Sequence, residues 1–183
     1  MNFFVLLKSK YHYTEHEIKL IQYTLKTFVS EFSKLIILGL FFSFVSKFYE
    51  YLLTVLIFLF LRRYSGGYHC KTYLSCFIIS FLYMFLNIMV LPNYSINIIF
   101  KFFLLLGAFL IINSISPLPS FYHKKLNQYQ ISKYRTYIDS FLIIYTILVL
   151  KFPNNRFILI GFWEIIIHTL QLSIEFFKRK RCI

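Results

Sequence analysis

The sequence predicts an all-α integral membrane protein of about six transmembrane helices preceded by an N-terminal amphipathic helix. Three observations lead there. Of 183 residues, 58% are hydrophobic and 15% charged, with a mean hydropathy of +0.66, whereas a soluble domain carries about 45–50% apolar and about 25% charged residues. The apolar residues gather in runs long enough to cross a bilayer. The basic residues sit in short clusters between those runs. Gly at 5 and Pro at 4 exclude collagen-like or disordered chains, and 3 cysteines do not make a secreted disulfide framework. This length holds one membrane domain and no separate soluble catalytic domain, so reactive groups belong at the membrane boundaries.

The first element, residues 1–34, mixes Lys8, Lys10, Lys19, Lys26 and Lys34 with Glu15, Glu17 and Glu31. Its Ile18, Ile21, Leu25 and Phe28 recur at helical spacing, the pattern of an amphipathic helix lying at the membrane surface. The apolar run Phe3–Leu7 is too short for a signal-peptide core and no small-residue cleavage site follows it, so no cleaved targeting segment is expected. A membrane domain follows over residues 35–177. Its first part, Leu35–Leu61, is interrupted by Lys47 and Glu50 and reads as one long helix or a tight hairpin of two. Further spans are expected at Tyr73–Leu91, Ile96–Ile115, Tyr137–Leu150 and Phe157–Phe177. The third of these is short, about 21 Å at helical rise, and needs flanking residues such as Lys151. Loops are expected at 62–72 and 116–136, the second marked by Pro117 and Pro119, and residues 178–183 form a basic tail.

Charge decides between helix and hairpin. The net charge of +13 comes from 20 Lys+Arg against 7 Asp+Glu, with a pI near 9.7. With a hairpin there are six spans and both termini share a side. That side then carries sixteen Lys/Arg, from the N-terminal segment, the two loops and the tail, against Lys47, Lys151 and Arg156 opposite. One long helix gives eleven against seven. The positive-inside rule favours the hairpin, hence a multi-pass cell-membrane protein with both termini cytoplasmic. The basic clusters therefore mark cytoplasmic loops and contacts with membrane lipids; no nucleic acid is expected as a partner.

The segment with chemical potential is Arg62-Arg63-Tyr64-Ser65-Gly66-Gly67-Tyr68-His69-Cys70-Lys71-Thr72-Tyr73-Leu74-Ser75-Cys76. Gly-Gly permits positive φ and a sharp turn out of the preceding span. Cys76 then falls in the first turns of the next span, where the helix dipole and a nearby imidazole favour the thiolate. On one continuous helix, His69 and Cys76 would stand about 10 Å apart along the axis, too far for proton transfer. The pair works only if the chain before Tyr73 is non-helical. His69 is the base within sequence reach; otherwise it rests at the lipid interface and Cys76 is a small core residue. A metal site from His69, Cys70 and Cys76 fits no common zinc spacing and lacks a fourth ligand, so no metal and no cofactor are expected. Cys182 is read as a plain thiol, since the chain does not end in a prenylation box.

At these residues the chain resembles the AgrB family, the membrane peptidases of Gram-positive peptide quorum sensing. The shared pattern is Arg, a short gap, Gly-Gly, a spacer, His, six residues and then Cys: here Arg62/Arg63, Gly66-Gly67, Tyr68, His69 and Cys76. The amphipathic N-terminus, the Ser116-Pro117 step in a basic loop and the basic tail extend the resemblance over essentially the whole chain. In the first helix, Tyr23-Thr24-Leu25-Lys26 departs from the family's Tyr-Gly-Leu step followed by Glu or Gln. The resemblance implies a cysteine endopeptidase in which Cys76 attacks a short precursor peptide and releases its acidic C-terminal tail. The acyl-enzyme thioester then passes to an internal Cys or Ser, giving a thiolactone or lactone. His69 acts as base and then acid. Arg62, Arg63, Gly66, Gly67, Lys124 and Lys125 are candidate substrate-binding residues, a homodimer is implied, and Ser65, Tyr68 and Glu31 are candidates for orienting His69. The alternative is a non-enzymatic six-span transporter or channel, kept open by Glu164 and His168, which stand at i, i+4 in the last span.

Overall fold

The computed structural model describes residues 14–67, 72–94, 96–118 and 127–181. Every regular element among them is helical, and the protein is an all-α membrane protein. In chain order the helices are α1 (Glu15–Phe44), α2 (Phe48–Ser65), α3 (Tyr73–Phe85), α4 (Ile98–Ile115), α5 (Gln128–Lys151) and α6 (Arg156–Arg181). A π-helical turn, Leu86–Val90, and a 3₁₀ turn, Leu91–Asn93, continue α3. Among the described residues, four stretches are long and apolar enough to cross a membrane: Glu17–Phe44, Tyr73–Asn93, Ile98–Ile115 and Arg156–Lys180. Helix α2 falls outside that set because it carries Glu50, Arg62 and Arg63, and α5 because it carries Arg135, Asp139 and Lys151.

The chain divides into two units, residues 1–44 and 45–183. Helix α1 starts at a reciprocal cap: Thr14 N–H donates to Glu17 Oε2 at 2.8 Å, and Glu17 N–H to Thr14 Oγ1 at 3.3 Å. It then runs without a break to Phe44, which corrects the expected division at residue 34. No Gly or Pro stands between Thr14 and Leu38 to stop it. The change from charged to apolar side chains alters the surroundings a helix suits, not the backbone's preference for one. Helices do separate within 35–61, at Val45-Ser46-Lys47, with Ser46 at φ 58°.

The second unit is built around α6. It packs against α2, α4 and α5 and against the end of α3. Leu61 of α2, Leu105 and Ile112 of α4, Leu142 and Val149 of α5, and Phe162 and Leu172 of α6 form one buried cluster. Close approach is set by Gly161: a Cβ there would overlap the Tyr145 hydroxyl and stand 2.7 Å from Ile57 Cδ1. The Tyr145 hydroxyl uses that space to donate to Ile158 O at 3.0 Å. Helix α5 begins at Gln128, inside the expected loop 116–136, with Asn127 N–H donating to Gln130 Oε1 at 3.1 Å. Its 24 residues are about 36 Å long, because the short apolar run 137–150 is extended by flanking residues, Lys151 among them.

Polar clasps hold both ends of this unit. At one end, Arg156 Nη2 donates to Ile88 O at 3.0 Å and its Nε lies 3.6 Å from Glu50 Oε1, which also pairs with Lys47 at 2.9 Å. Lys101 Nζ donates to Pro153 O at 2.6 Å. At the other end Leu118 N–H donates to Ser65 O at 3.0 Å, and Arg135 Nε to Ser116 O at 3.3 Å.

Gly161→Ala should lower the thermal unfolding temperature in detergent, since overpacking at a helix contact costs about 1–3 kcal/mol. Gly107→Ala in α4, where a Cβ meets nothing within 4 Å, should leave it unchanged or raise it. Equal melting shifts for the two substitutions would contradict the close-approach role of Gly161.

Candidate functional site

Helix α3 opens with Thr72 as its N-cap. Thr72 is extended (φ −119°, ψ 152°), and its Oγ1 accepts from Ser75 N–H at 3.3 Å. Cys76 therefore lies in the first turn, its own N–H donating to Thr72 O at 3.1 Å. Because the helix begins at Tyr73, the backbone does not continue helically from Cys76 through Thr72 towards His69. His69 itself lies outside the described residues, as do Cys70, Lys124, Lys125 and Cys182.

Arg62 and Arg63 close the last turn of α2 rather than lying in the expected loop 62–72, which places their charge at the negative end of the helix dipole. The two arginines part company. Arg62 lines a cavity of about 30 Å³ with Phe58 of α2, Cys76, Ser80 and Tyr83 of α3, and Gln171 of α6. Arg63 is exposed and does not line it. The Arg62 guanidinium carbon sits 5.5 Å from the centre of the Phe58 ring, a cation–π contact that steadies it beside the thiol.

Gly66 ends α2 at φ 90°, ψ −169°, a conformation essentially restricted to glycine. A Cβ on it would stand 2.6 Å from Leu118 O. The chain can thus turn and press against the segment leaving α4. Gly67 has ordinary φ, but a Cβ there would lie 3.3 Å from Arg62 Cγ, so its bareness leaves room for the arginine stem. Both glycines act through backbone space.

Beneath the cavity lies a buried polar network. Glu164 accepts from the Tyr83 hydroxyl and from Asn87 Nδ2, the latter at 2.7 Å, and Asn87 also reaches Thr54 Oγ1 at 3.5 Å. His168 Nε2 lies 2.7 Å from Ser65 Oγ. The spacing of Glu164 and His168 was visible in the sequence, but their partners were not. Tyr83 and Asn87 follow Cys76 by seven and eleven residues, a helical spacing that puts all three on one face of a regular helix. Gln171 gave no signal beyond being a polar residue in an apolar run. No group of three or more His, Cys, Asp or Glu that could hold a metal occurs among the described residues.

The family model described as Accessory gene regulator B matches residues 3–172. An AgrB-like protein of Clostridium beijerinckii is 35% identical over 100 residues, covering 53% of this chain and 50% of that protein. The chain thus spans about half the length of that relative. No solved structure matches it.

Gly66→Ala should destabilise the purified protein by about 1–3 kcal/mol, from the forbidden backbone conformation and the Leu118 contact together. Gly67→Ala should cost less, because the flexible Arg62 stem can yield. A denaturation series in which Gly67→Ala is the more damaging would contradict this account of the turn.

Proposed function

The chain belongs to the accessory gene regulator B family, and from that membership we propose that it is a membrane-embedded cysteine endopeptidase that processes a short quorum-sensing precursor peptide. The observation that carries the reading is Cys76 in the first turn of α3, on a cavity shared with Arg62. The Cys76 sulfur attacks a backbone carbonyl of the precursor, and the C–N bond breaks as His69 hands a proton to the leaving amine. The released segment departs and a thioester remains on Cys76. An internal Cys or Ser of the same peptide then attacks that thioester, freeing the Cys76 thiol and closing a thiolactone or lactone ring. The exchange of one thioester for another is nearly balanced, so departure of the cleaved tail pulls the sequence forward.

In the proposed topology α2 and α5 cross the membrane with the four more apolar helices, giving six spans with both termini cytoplasmic. Their lengths of 18 and 24 residues, about 27 and 36 Å, suit that role. The site then faces the cytoplasm, where the precursor is made. The leaving segment is acidic, and Arg62 holds its carboxylates, which a planar guanidinium does in bidentate fashion. The transporter alternative rests on Glu164 and His168. Their hydrogen bonds to Tyr83, Asn87 and Ser65 give those two side chains partners within the protein and favour the peptidase reading.

Two experiments test this. The probe is the peptide of about 40–55 residues, amphipathic at its start and acidic at its end, sought in a reading frame beside the gene. Cys76→Ala and His69→Ala should abolish its cleavage with membrane insertion intact, whereas Cys70→Ala and Cys182→Ala retain substantial activity. Full cleavage by Cys76→Ala would sink the peptidase reading.

Of the two arginines, Arg62→Gln should raise the apparent KM for that peptide more than Arg63→Gln, and added salt should weaken wild-type binding. A cysteine-accessibility map of each variant checks that removing a loop charge has not inverted the helices. Equal KM values for correctly inserted Arg62→Gln and wild type would remove Arg62 from substrate recognition.

A further inference from the structure

Glu164 and His168 are fully buried and one turn apart in α6. Burying such groups costs free energy unless each finds hydrogen-bonding partners. Apolar side chains of similar size would hold packed helices together without that cost. What polar side chains add is direction: a hydrogen bond fixes the rotation and height of one helix against another.

We infer that Glu164 and His168 are positioning residues for the Cys76 site, Glu164 holding the helix that carries the thiol and His168 holding the end of α2 that leads into His69. The inference rests on the peptidase reading and deepens it. On the first arm, Glu164 takes donors from Tyr83 and Asn87, both on the element that begins with Cys76. Tyr83 lines the same cavity as the thiol. Asn87 lies in the π-helical turn, where the ladder of backbone bonds is locally re-registered. With two donors held by one carboxyl, α3 can neither rotate nor slide freely, and Cys76 moves with it.

On the second arm, Ser65 Oγ lies 2.7 Å from both His168 Nε2 and Leu61 O. The hydroxyl has one proton. When it goes to the Leu61 carbonyl, His168 must donate from Nε2, which leaves Nδ1 as an acceptor without a hydrogen-bond partner. An unpaired acceptor is the cheaper of the two ways to leave one nitrogen unmatched, and this assignment makes the Ser65 latch directional. Ser65 is followed at once by Gly66-Gly67, so its position sets where the chain to His69 departs. Phe58 fills the space between the arms, its ring centre 5.4 Å from that of Tyr83 and 6.4 Å from that of His168. A misplacement of about 1 Å between nucleophile and base costs about a hundredfold in rate.

The test uses the full-length protein in detergent, with Cys70→Ala and Cys182→Ala introduced so that iodoacetamide reports on Cys76 alone. Ser65→Ala and Asn87→Leu each cut one latch without altering the residues that line the cavity. Each should slow alkylation at neutral pH about tenfold, with the unfolding temperature held within a few degrees. His168→Gln, which keeps a donor for Ser65, should restore most of the rate that His168→Phe loses. The decisive comparison is in a His69→Ala background. If the latches act by bringing base and thiol together, Ser65→Ala and Asn87→Leu have no further effect there. Equal slowing with and without His69 would make them general fold contacts and overturn the inference, as would variants that no longer fold. If His69→Ala slows alkylation but neither latch variant does, the inference fails and the peptidase reading stands. If His69→Ala changes nothing, the reading itself fails and the inference with it.

Discussion

A carboxyl group buried in an apolar helix must collect donors from its neighbours, and at Glu164 that requirement joins three helices at one point. Asn87 bridges from Glu164 to Thr54 of α2, so α2, α3 and α6 meet through a chain of side-chain bonds inside the membrane domain. Lipid offers no substitute partner for any of these groups. Their geometry is therefore fixed as strictly as that of a tight apolar contact, and in a chosen direction. The cavity beside Cys76 inherits its shape from this arrangement, because three of its walls are the three helices so joined.

Backbone space does the rest. Gly161 lets α5 and α2 approach α6 closely enough for Tyr145 to reach a main-chain carbonyl. Gly66 does the same at the mouth of the site, where the end of α2 meets the segment leaving α4. In both places a methyl group would stand where a neighbour's atoms already are. Elsewhere in the domain apolar packing is permissive, as at Gly107, where nothing lies near. Glycine is thus required by close packing at two positions and incidental at a third.

The helical membrane architecture was legible from hydropathy, and the place of Cys76 in the first turn of a helix from the Gly-Gly turn that precedes it. The separation of α1 and α2 within 35–61 followed from charge bias. Helix boundaries were less legible, for a local reason. The start of α5 lies in a polar stretch that reads as loop, although Asn127 and Gln130 stand at capping-box spacing. The same spacing in Thr14 and Glu17 marks the start of α1, and no breaker separates that start from the apolar stretch beyond residue 34. The separation of Arg62 from Arg63 was invisible, because adjacent helical positions point about 100° apart and only the packing of α2 decides which faces the cavity. Least legible were the partners of Glu164 and His168. A single sequence records that a polar group is buried, but not which distant residue meets it.

The hydrogen bonds around the site span long stretches of chain: 77 residues separate Asn87 from Glu164, and 103 separate Ser65 from His168. Synthesis runs from one end. When α3 emerges, Cys76 is already in its helix, yet neither latch has a partner, because α6 is made later than α2 and α3. Contacts of this separation also pay the largest loop-closure entropy, so they form late even in the finished chain. The polar frame around Cys76 is consequently assembled only after α6 has been made. A nascent or truncated chain ending before α6 presents a thiol in the membrane without the frame that holds it, and the order of translation itself keeps such an unfinished protein from being a finished site.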